Sequence, residues 1–237
     1  VCGPRRRGQC HGGRPHRQDM SNLELLVTGD GSHSLINREL DETYHSRHGA
    51  VQESNHVFIR QGFDLLDLPS ARILEIGFGT GLNAWLTWQA AASRKLVVQY
   101  DTLETQPLAS GIWKLLNYAA EGRQVDFQRI HEADWGTSVV LDSFFSLHKR
   151  EVSLLSCVLP ESTYHLVYFD AFAPNKQPEM WAQPVLAKIA QAMRPDGVFV
   201  TYCAKGQVKR DLRSSGFDVE AVPGPPGKRE MIRAIKR

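Results

Sequence analysis

Apolar positions between residues 71 and 104 fall into two alternating registers. Ala71–Gly77 (ARILEIG) is a short continuous apolar run, the pattern of a strand buried on both faces. Residues 82–93 (LNAWLTWQAAAS) are rich in Ala and Leu and predict a helix. Residues 95–104 (KLVVQYDTLE) return to strand character, and residues 107–120 predict a second helix with Pro107 at its start. Further on, residues 164–170 (YHLVYFD) and 198–203 (VFVTYC) read as strands. Residues 178–193 read as a helix that Pro184 must bend or split, and residues 206–216 as a short amphipathic helix ending at Gly216. Residues 217–222 and 229–235 close the pattern as two strands joined by PGPPGK. The middle is less regular: residues 139–148 suit helix or strand, and residues 151–159 are strand-like. Upstream of residue 71, strand-like pieces at 23–28, 33–37 and 56–60 flank a polar, aromatic loop at 41–54. Strands alternating with helices predict an α/β fold around a mostly parallel sheet.

Composition alters this picture mainly at the N-terminus. The chain has 237 residues, 42% of them hydrophobic, enough for one domain with a substantial core. No stretch approaches the ~20 apolar residues of a membrane helix. Cys2, Cys10, Cys157 and Cys203 have neither disulfide-scaffold density nor zinc-ligand spacing, so no metal and a reducing, cytoplasmic setting are expected. The formal charge of +2 comes from residues 1–19, which hold five arginines against Asp19; the rest carries 23 basic and 25 acidic residues. That segment has no periodicity and no apolar signal-peptide core. We expect residues 1–19 to be non-native or disordered, with Met20 as the native start; a basic arm or transit segment is the alternative. Residues 20–70 then form an N-terminal part and residues 71–237 the core.

The turn after the first core strand carries the first chemistry. It reads Glu75-Ile76-Gly77-Phe78-Gly79-Thr80-Gly81-Leu82-Asn83. Glycines there permit backbone angles closed to other residues and let a ligand approach the main chain. A dinucleotide fingerprint would be GxGxxG; GxGxG behind a strand-end acid suits S-adenosylmethionine better. An empty tight turn is the bland alternative. Glu104 ends the next strand, placed to accept both hydroxyls of a ribose. Asp170 ends the strand YHLVYFD, at the edge where open α/β sheets bind ligands. A carboxylate there can orient an attacking amine and take its proton, or simply cap the turn before Pro174. Phe172 can offer a ring face to a base or a sulfonium. Trp181 reads more as core, while Trp85, Trp88 and Trp113 suit core or interface.

The segments ILEIGFGTGLNAWLTW, YFDAFAPNKQPEMW, VTYCAKGQVKRDL and GPPGKREMIRA occur in this order. Together they resemble the tRNA 5-methylaminomethyl-2-thiouridine methyltransferase family, the methyltransferase half of MnmC and its stand-alone MnmD-like relatives. The resemblance covers roughly residues 35–235. It implies a Rossmann-like class I S-adenosylmethionine-dependent methyltransferase with seven strands, mostly parallel, the last antiparallel. It implies N-methylation of 5-aminomethyl-(2-thio)uridine at the tRNA wobble position. Glu75, Gly77, Phe78, Gly79, Gly81 and Asn83 would form the cofactor turn, Glu104 would hold the ribose and Asp170 would serve the amine. Tyr44, in DETYHS, would lie in a loop closing over the cofactor. The chain ends without the flavin-dependent half of MnmC, so no flavin is expected. The family's Gly-Asp near adenine has no counterpart in EVSLLSCVLPES; Asp134, in HEADW, or Glu161 could substitute.

Residues 197–237 contain nine basic and four acidic side chains, a local excess suited to phosphate contact. Lys205, Lys209, Arg210 and Arg213 could share one helix face, or be an ordinary solvated one. Lys228 and Arg229 sit on the PGPPGK loop and would border the site, meeting the backbone of the anticodon stem-loop. Two other readings remain: a small-amine methyltransferase or aminopropyltransferase, and a non-catalytic RNA- or cofactor-binding protein on the same fold.

Overall fold

The computed structural model describes residues 22–237. Residues 1–19, expected to be non-native or disordered, lie outside the described residues, as does Met20.

An antiparallel sheet opens the described chain: β1 (Leu23–Val27), β2 (His33–Asn37) and β3 (Glu42–Thr43). Then come α1 (Ala50–Ser54), which runs into a π-helical turn (Asn55–Arg60), and a 3-10 turn (Phe63–Leu65). The core follows as β4 (Ser70–Ile76), α2 (Leu82–Arg94), β5 (Val97–Glu104), α3 (Ser110–Trp113), α4 (Gln124–Glu132), β6 (Ser138–Val140) and β7 (Phe145–Glu151). The chain ends with β8 (Tyr164–Phe169), a 3-10 turn (Pro178–Trp181), α5 (Gln183–Ala192), β9 (Met193–Thr201), α6 (Gly206–Ser214), β10 (Phe217–Pro223) and β11 (Glu230–Lys236).

The large sheet has the order β10-β11-β9-β8-β4-β5-β7-β6. Its five central strands, β9, β8, β4, β5 and β7, are parallel, and β11 inserts antiparallel between β9 and β10. These are the seven expected strands with the last one antiparallel. An eighth, the three-residue β6, adds antiparallel to the edge beside β7. Both faces are covered, which is why the parallel strands read as unbroken apolar runs. Ile73, Tyr100, Leu166 and Tyr168 point to the face packed by α2, with Trp85 and Trp88. Leu74, Leu103, Val167 and Phe169 point to the face packed by α5 and α6. Trp85, Trp88, Trp113 and Trp181 are all core residues.

Four local expectations change. Residues 56–60 are helical: Val57, Phe58 and Ile59 are consecutive buried residues in a π-turn continuing α1, and a short apolar run carries no period to tell it from a strand. The expected loop at 41–54 accordingly contains β3 and α1. The helix expected at 107–120 shrinks to α3, which ends at Trp113; beyond it the Asn117 side chain accepts from the His33 N–H (2.7 Å) and donates to the Gly31 carbonyl (3.0 Å). The strand expected at 151–159 ends at Glu151; the chain then turns, with the Ser153 carbonyl accepting from the Cys157 N–H at 2.9 Å. One helix, α4, had no sequence signal beyond Phe127 and Ile130, the two side chains it buries. Pro184 splits its helix as expected, leaving the 3-10 turn before it and α5 around it.

Candidate active site

The order reverses at β4, with β5 on one side and β8 on the other, and a cleft of about 530 Å³ opens at their carboxyl ends. This is where such sheets bind ligands. Its floor is the glycine turn. Gly77 has φ +91° and its N–H donates to the Leu103 carbonyl at 3.0 Å; a Cβ there would stand 2.8 Å from the Asp170 carbonyl oxygen. Gly79 has φ +48° and passes under the Tyr44 ring, with its N–H donating to Glu104 Oε2 at 3.0 Å. Phe78 packs edge-on against His131 and Trp135, with ring centroids at 5.4 and 5.9 Å. Behind them the buried Lys149 ammonium lies 4.7 Å from the Trp135 ring centre and donates to the His131 carbonyl at 2.7 Å. Burial and this lysine push the His131 imidazole down to about 3, so it is neutral. Lys149 had no functional signal in the sequence, since a lysine in a strand normally reads as exposed.

Glu75 lies beneath the turn and is fully buried. Thr102 Oγ1 donates to its Oε2 at 2.7 Å, and burial raises its carboxyl well above the usual carboxylate range. Glu104 lines the cleft; its Oε1 accepts from the N–H groups of Thr105 and Gln106, both at 2.8 Å. Tyr44 lines the cleft and meets Phe172 edge-on at 5.3 Å, so the N-terminal segment and the DAFAP segment face each other. Val152, Ser153, Leu154 and Leu155, in the turn after β7, form another wall. The sequence reading missed them because that segment looked like a strand. Asp134 is exposed and does not line the cleft, because Trp135 pairs with Lys149 and α4 ends just before it. Glu161 lies away from the cleft, on a shallow surface beside Gln183 and Lys236.

Asp170 lines the cleft just after β8, beside the glycine turn. Its backbone N–H donates to the Ile76 carbonyl at 3.0 Å, and Asn83 Nδ2, on α2, donates to its Oδ2 at 2.8 Å. Burial drives the Asp170 carboxyl up to about 7, opposed by the Asn83 hydrogen bond. The other amide atom of Asn83, Oδ1, is buried without a hydrogen-bond partner among the described residues. Phe172 lines the same cleft, held by the Trp181 Nε1–H donating to its carbonyl at 2.8 Å. Lys228 lines the cleft, as expected of a loop that borders the site, and pairs with Glu53 at 2.6 Å. Arg229 points outward and Lys205 is exposed; neither lines the cleft. Lys209 pairs with Glu230 at 2.7 Å and Arg210 bonds Gln207, so the expected uniform basic face of α6 is partly consumed by internal contacts. His45, Glu53, Thr80 and Tyr202 also line the cleft and were missed, since each is an isolated polar residue in sequence.

The residues fit S-adenosylmethionine. Cβ atoms at Gly77 and Gly79 would fill the cradle, Glu104 can accept ribose hydroxyls, and the orphaned Asn83 Oδ1 can accept from an ammonium. A parallel sheet reversing at β4, this glycine turn and Glu104 at the end of β5 define a class I methyltransferase.

Comparison with known proteins agrees. The family model described as S-adenosyl-L-methionine-dependent methyltransferase matches residues 118–237, and the chain belongs to that family. The chain is 32% identical over 219 residues to the tRNA 5-methylaminomethyl-2-thiouridine biosynthesis bifunctional protein MnmC of Idiomarina loihiensis, covering 83% of this chain and 36% of that protein. It is 28% identical over 208 residues to the protein of the same name from Methylobacillus flagellatus, covering 81% of this chain and 32% of that one. It thus spans about a third of the length of these curated relatives. The crystal structure of MNMC2 from Aquifex aeolicus superposes with a TM-score of 0.76 at 25% identity, over 92% of this chain and 72% of that one. Among the described residues no helix is long and apolar enough to cross a membrane, and no group of three or more His, Cys, Asp or Glu could hold a metal ion.

Proposed function

We propose that the protein transfers a methyl group from S-adenosylmethionine to the primary amine of 5-aminomethyl-(2-thio)uridine at the wobble position of tRNA, giving 5-methylaminomethyl-(2-thio)uridine. The observation that carries this reading is Asp170, held by Asn83 in a cleft it lines with Phe172, beside a cofactor-type glycine turn. The likeness to the MnmC proteins supports the choice of acceptor.

The cofactor supplies an electrophilic methyl group on a sulfonium. The chain does the rest. The Gly79 N–H orients the Glu104 carboxylate, which would hold the ribose hydroxyls of the cofactor. Asn83 fixes Asp170 Oδ2 and leaves Oδ1 for the acceptor. An alkylamine arrives as an ammonium and attacks only once neutral. Asp170 Oδ1 binds it, receives a proton and aims the nitrogen lone pair along the reaction axis. Holding amine and methyl in line supplies much of the acceleration. The Tyr44 and Phe172 rings meet edge-on in the cleft lining and give it an apolar wall. This reaction needs neither metal nor flavin.

The test is incubation with labelled S-adenosylmethionine and bulk tRNA from a strain lacking this methylation, followed by digestion. Label in 5-methylaminomethyl-(2-thio)uridine is expected. Label in another nucleoside would overturn the acceptor; label only in added polyamines would transfer the reading to a small-amine enzyme.

The tRNA surface follows from which cations remain available. Lys228 and Lys209 are engaged with carboxylates, whereas Arg229 and Lys205 are exposed. Arg229→Ala should weaken tRNA binding for all sequences and reduce the slope of log K against log salt by about 1. Titrations at several salt concentrations check this; an unchanged slope would remove Arg229 from the interface.

A further inference from the structure

The acceptor end of the cleft holds charges that the reaction as described does not use. Glu53, on α1, is nearly buried, with its side chain 9% exposed. Its Oε1 accepts from Lys228 Nζ at 2.6 Å and its Oε2 from the Ser46 N–H at 2.6 Å. The Lys228 ammonium also lies 4.1 Å from the centre of the Tyr202 ring. The Tyr202 hydroxyl donates to the carbonyl of Ala171, the residue after Asp170, at 2.9 Å. One carboxylate thus ties the segment carrying Tyr44 and His45 to the loop carrying Lys228, and both meet beside Asp170.

We propose that Glu53 and Lys228 are positioning residues for Asp170: their ion pair offsets the charge of Glu53 and leaves the Asp170 carboxylate without a cation of its own, which selects a cationic primary amine. The inference rests on the amine-methylation reading and deepens it. Its logic is charge balance in a poorly hydrated space. Two carboxylates sharing such a space cannot both ionise easily, and one keeps its proton. A cation paired with one of them restores the other's negative charge. An entering ammonium then completes neutrality at Asp170, whereas a neutral hydroxyl acceptor leaves the charge unbalanced.

The groups around Asp170 come from several elements, and Glu42 of β3 and Glu179 of the 3-10 turn at Pro178–Trp181 line the same cleft. Asn83 from α2 donates to it, Lys228 from the β10–β11 loop attracts its negative form, and Glu53 from α1 repels that form. Glu75 and Tyr100, from β4 and β5, lie beneath it, and Tyr202 flanks it after β9. Glu75 is held toward its neutral form by burial, so it adds little charge. His45 is pushed down to about 4, chiefly by burial, and is neutral. Lys228 and Glu53 are therefore the pair whose alteration changes the charge at Asp170 in opposite senses.

The experiment follows the Asp170 carboxyl by ¹³C NMR titration, assigned by its absence in Asp170→Asn, alongside the pH profile of kcat/KM. Lys228→Met should move the Asp170 midpoint up by about one pH unit, and Glu53→Gln should move it down by a similar amount. Lys228→Arg should restore the wild-type midpoint, which a lost packing contact would not do. The kinetic acid limb should follow the same two directions, with binding of S-adenosylhomocysteine little changed. Midpoints that stay fixed, or move the same way in both variants, would overturn the inference. Lys228 is partly exposed, so the Met and Arg variants test it even if Glu53→Gln does not fold. The NMR titration needs no turnover. Absence of methyl transfer by the wild-type protein would defeat the amine reading separately.

Discussion

Asp170→Asn should lower kcat by about 10²–10⁴-fold, the usual worth of a positioned general base, while S-adenosylmethionine binds nearly as before. Asn suits this test better than Ala. Its side-chain oxygen can still accept from Asn83 Nδ2, so the 2.8 Å link to α2 survives and only the proton acceptor is lost. Isothermal titration with the cofactor and single-turnover methylation of tRNA separate the two effects. The pH dependence adds a second signature. The Asp170 carboxyl sits near 7 and must be ionised to work, so kcat/KM should rise with pH and level off above about 7. That limb should vanish from the residual activity of the variant. Stability should change in the opposite sense. A carboxyl raised on folding contributes stability that is complete below its unfolded value, near 4, and is lost as pH rises through about 7. Asp170→Asn should therefore melt no lower than wild type above pH 7. Full turnover in the variant would reduce Asp170 to a turn residue before Pro174.

The sheet was legible because its physics is one-dimensional. Residues 71–77, 95–104 and 164–170 alternate between two covered faces and read as apolar runs. The glycine turn was legible because positive φ at Gly77, Gly79 and Gly81 leaves few alternatives to glycine. What failed depended on partners distant in sequence. The Asn117 side chain, beyond the shortened α3, bonds Gly31 and His33, more than eighty residues away. Lys228 looked like a surface cation until folding placed it against Glu53, 175 residues upstream. Lys149 is buried only because His131, Phe78 and Trp135 converge on it. The wall at Val152–Leu155 was hidden because that segment read as a strand, and Asp134, considered for adenine because the family's Gly-Asp pair has no counterpart here, is exposed outside the cleft.

Gly77→Ala should cost the enzyme both its cleft and part of its fold. The φ of +91° is strained for any side chain, and a Cβ would stand 2.8 Å from the Asp170 carbonyl oxygen, a main-chain atom of β8's end that cannot swing away. Strain of this kind is worth roughly 1–3 kcal/mol. About 2 kcal/mol lowers Tm by about 4–8 °C in a domain of this size. The catalytic effect should be larger. Relief of the clash must push the turn from β8, moving the Gly79 N–H off Glu104 and Asp170 away from the methyl group together. A displacement of about 1 Å at reacting groups costs on the order of a hundredfold, and loss of the cofactor cradle multiplies it. The expected result is a folded protein by circular dichroism, with weakened S-adenosylhomocysteine binding and kcat/KM reduced by more than about a hundredfold. Gly111→Ala is the control, since a Cβ there meets nothing within 4 Å and no positive φ opposes it. If Gly77→Ala bound the cofactor as tightly as that control, the turn would be a structural bend and the cradle would have to lie elsewhere along the cleft.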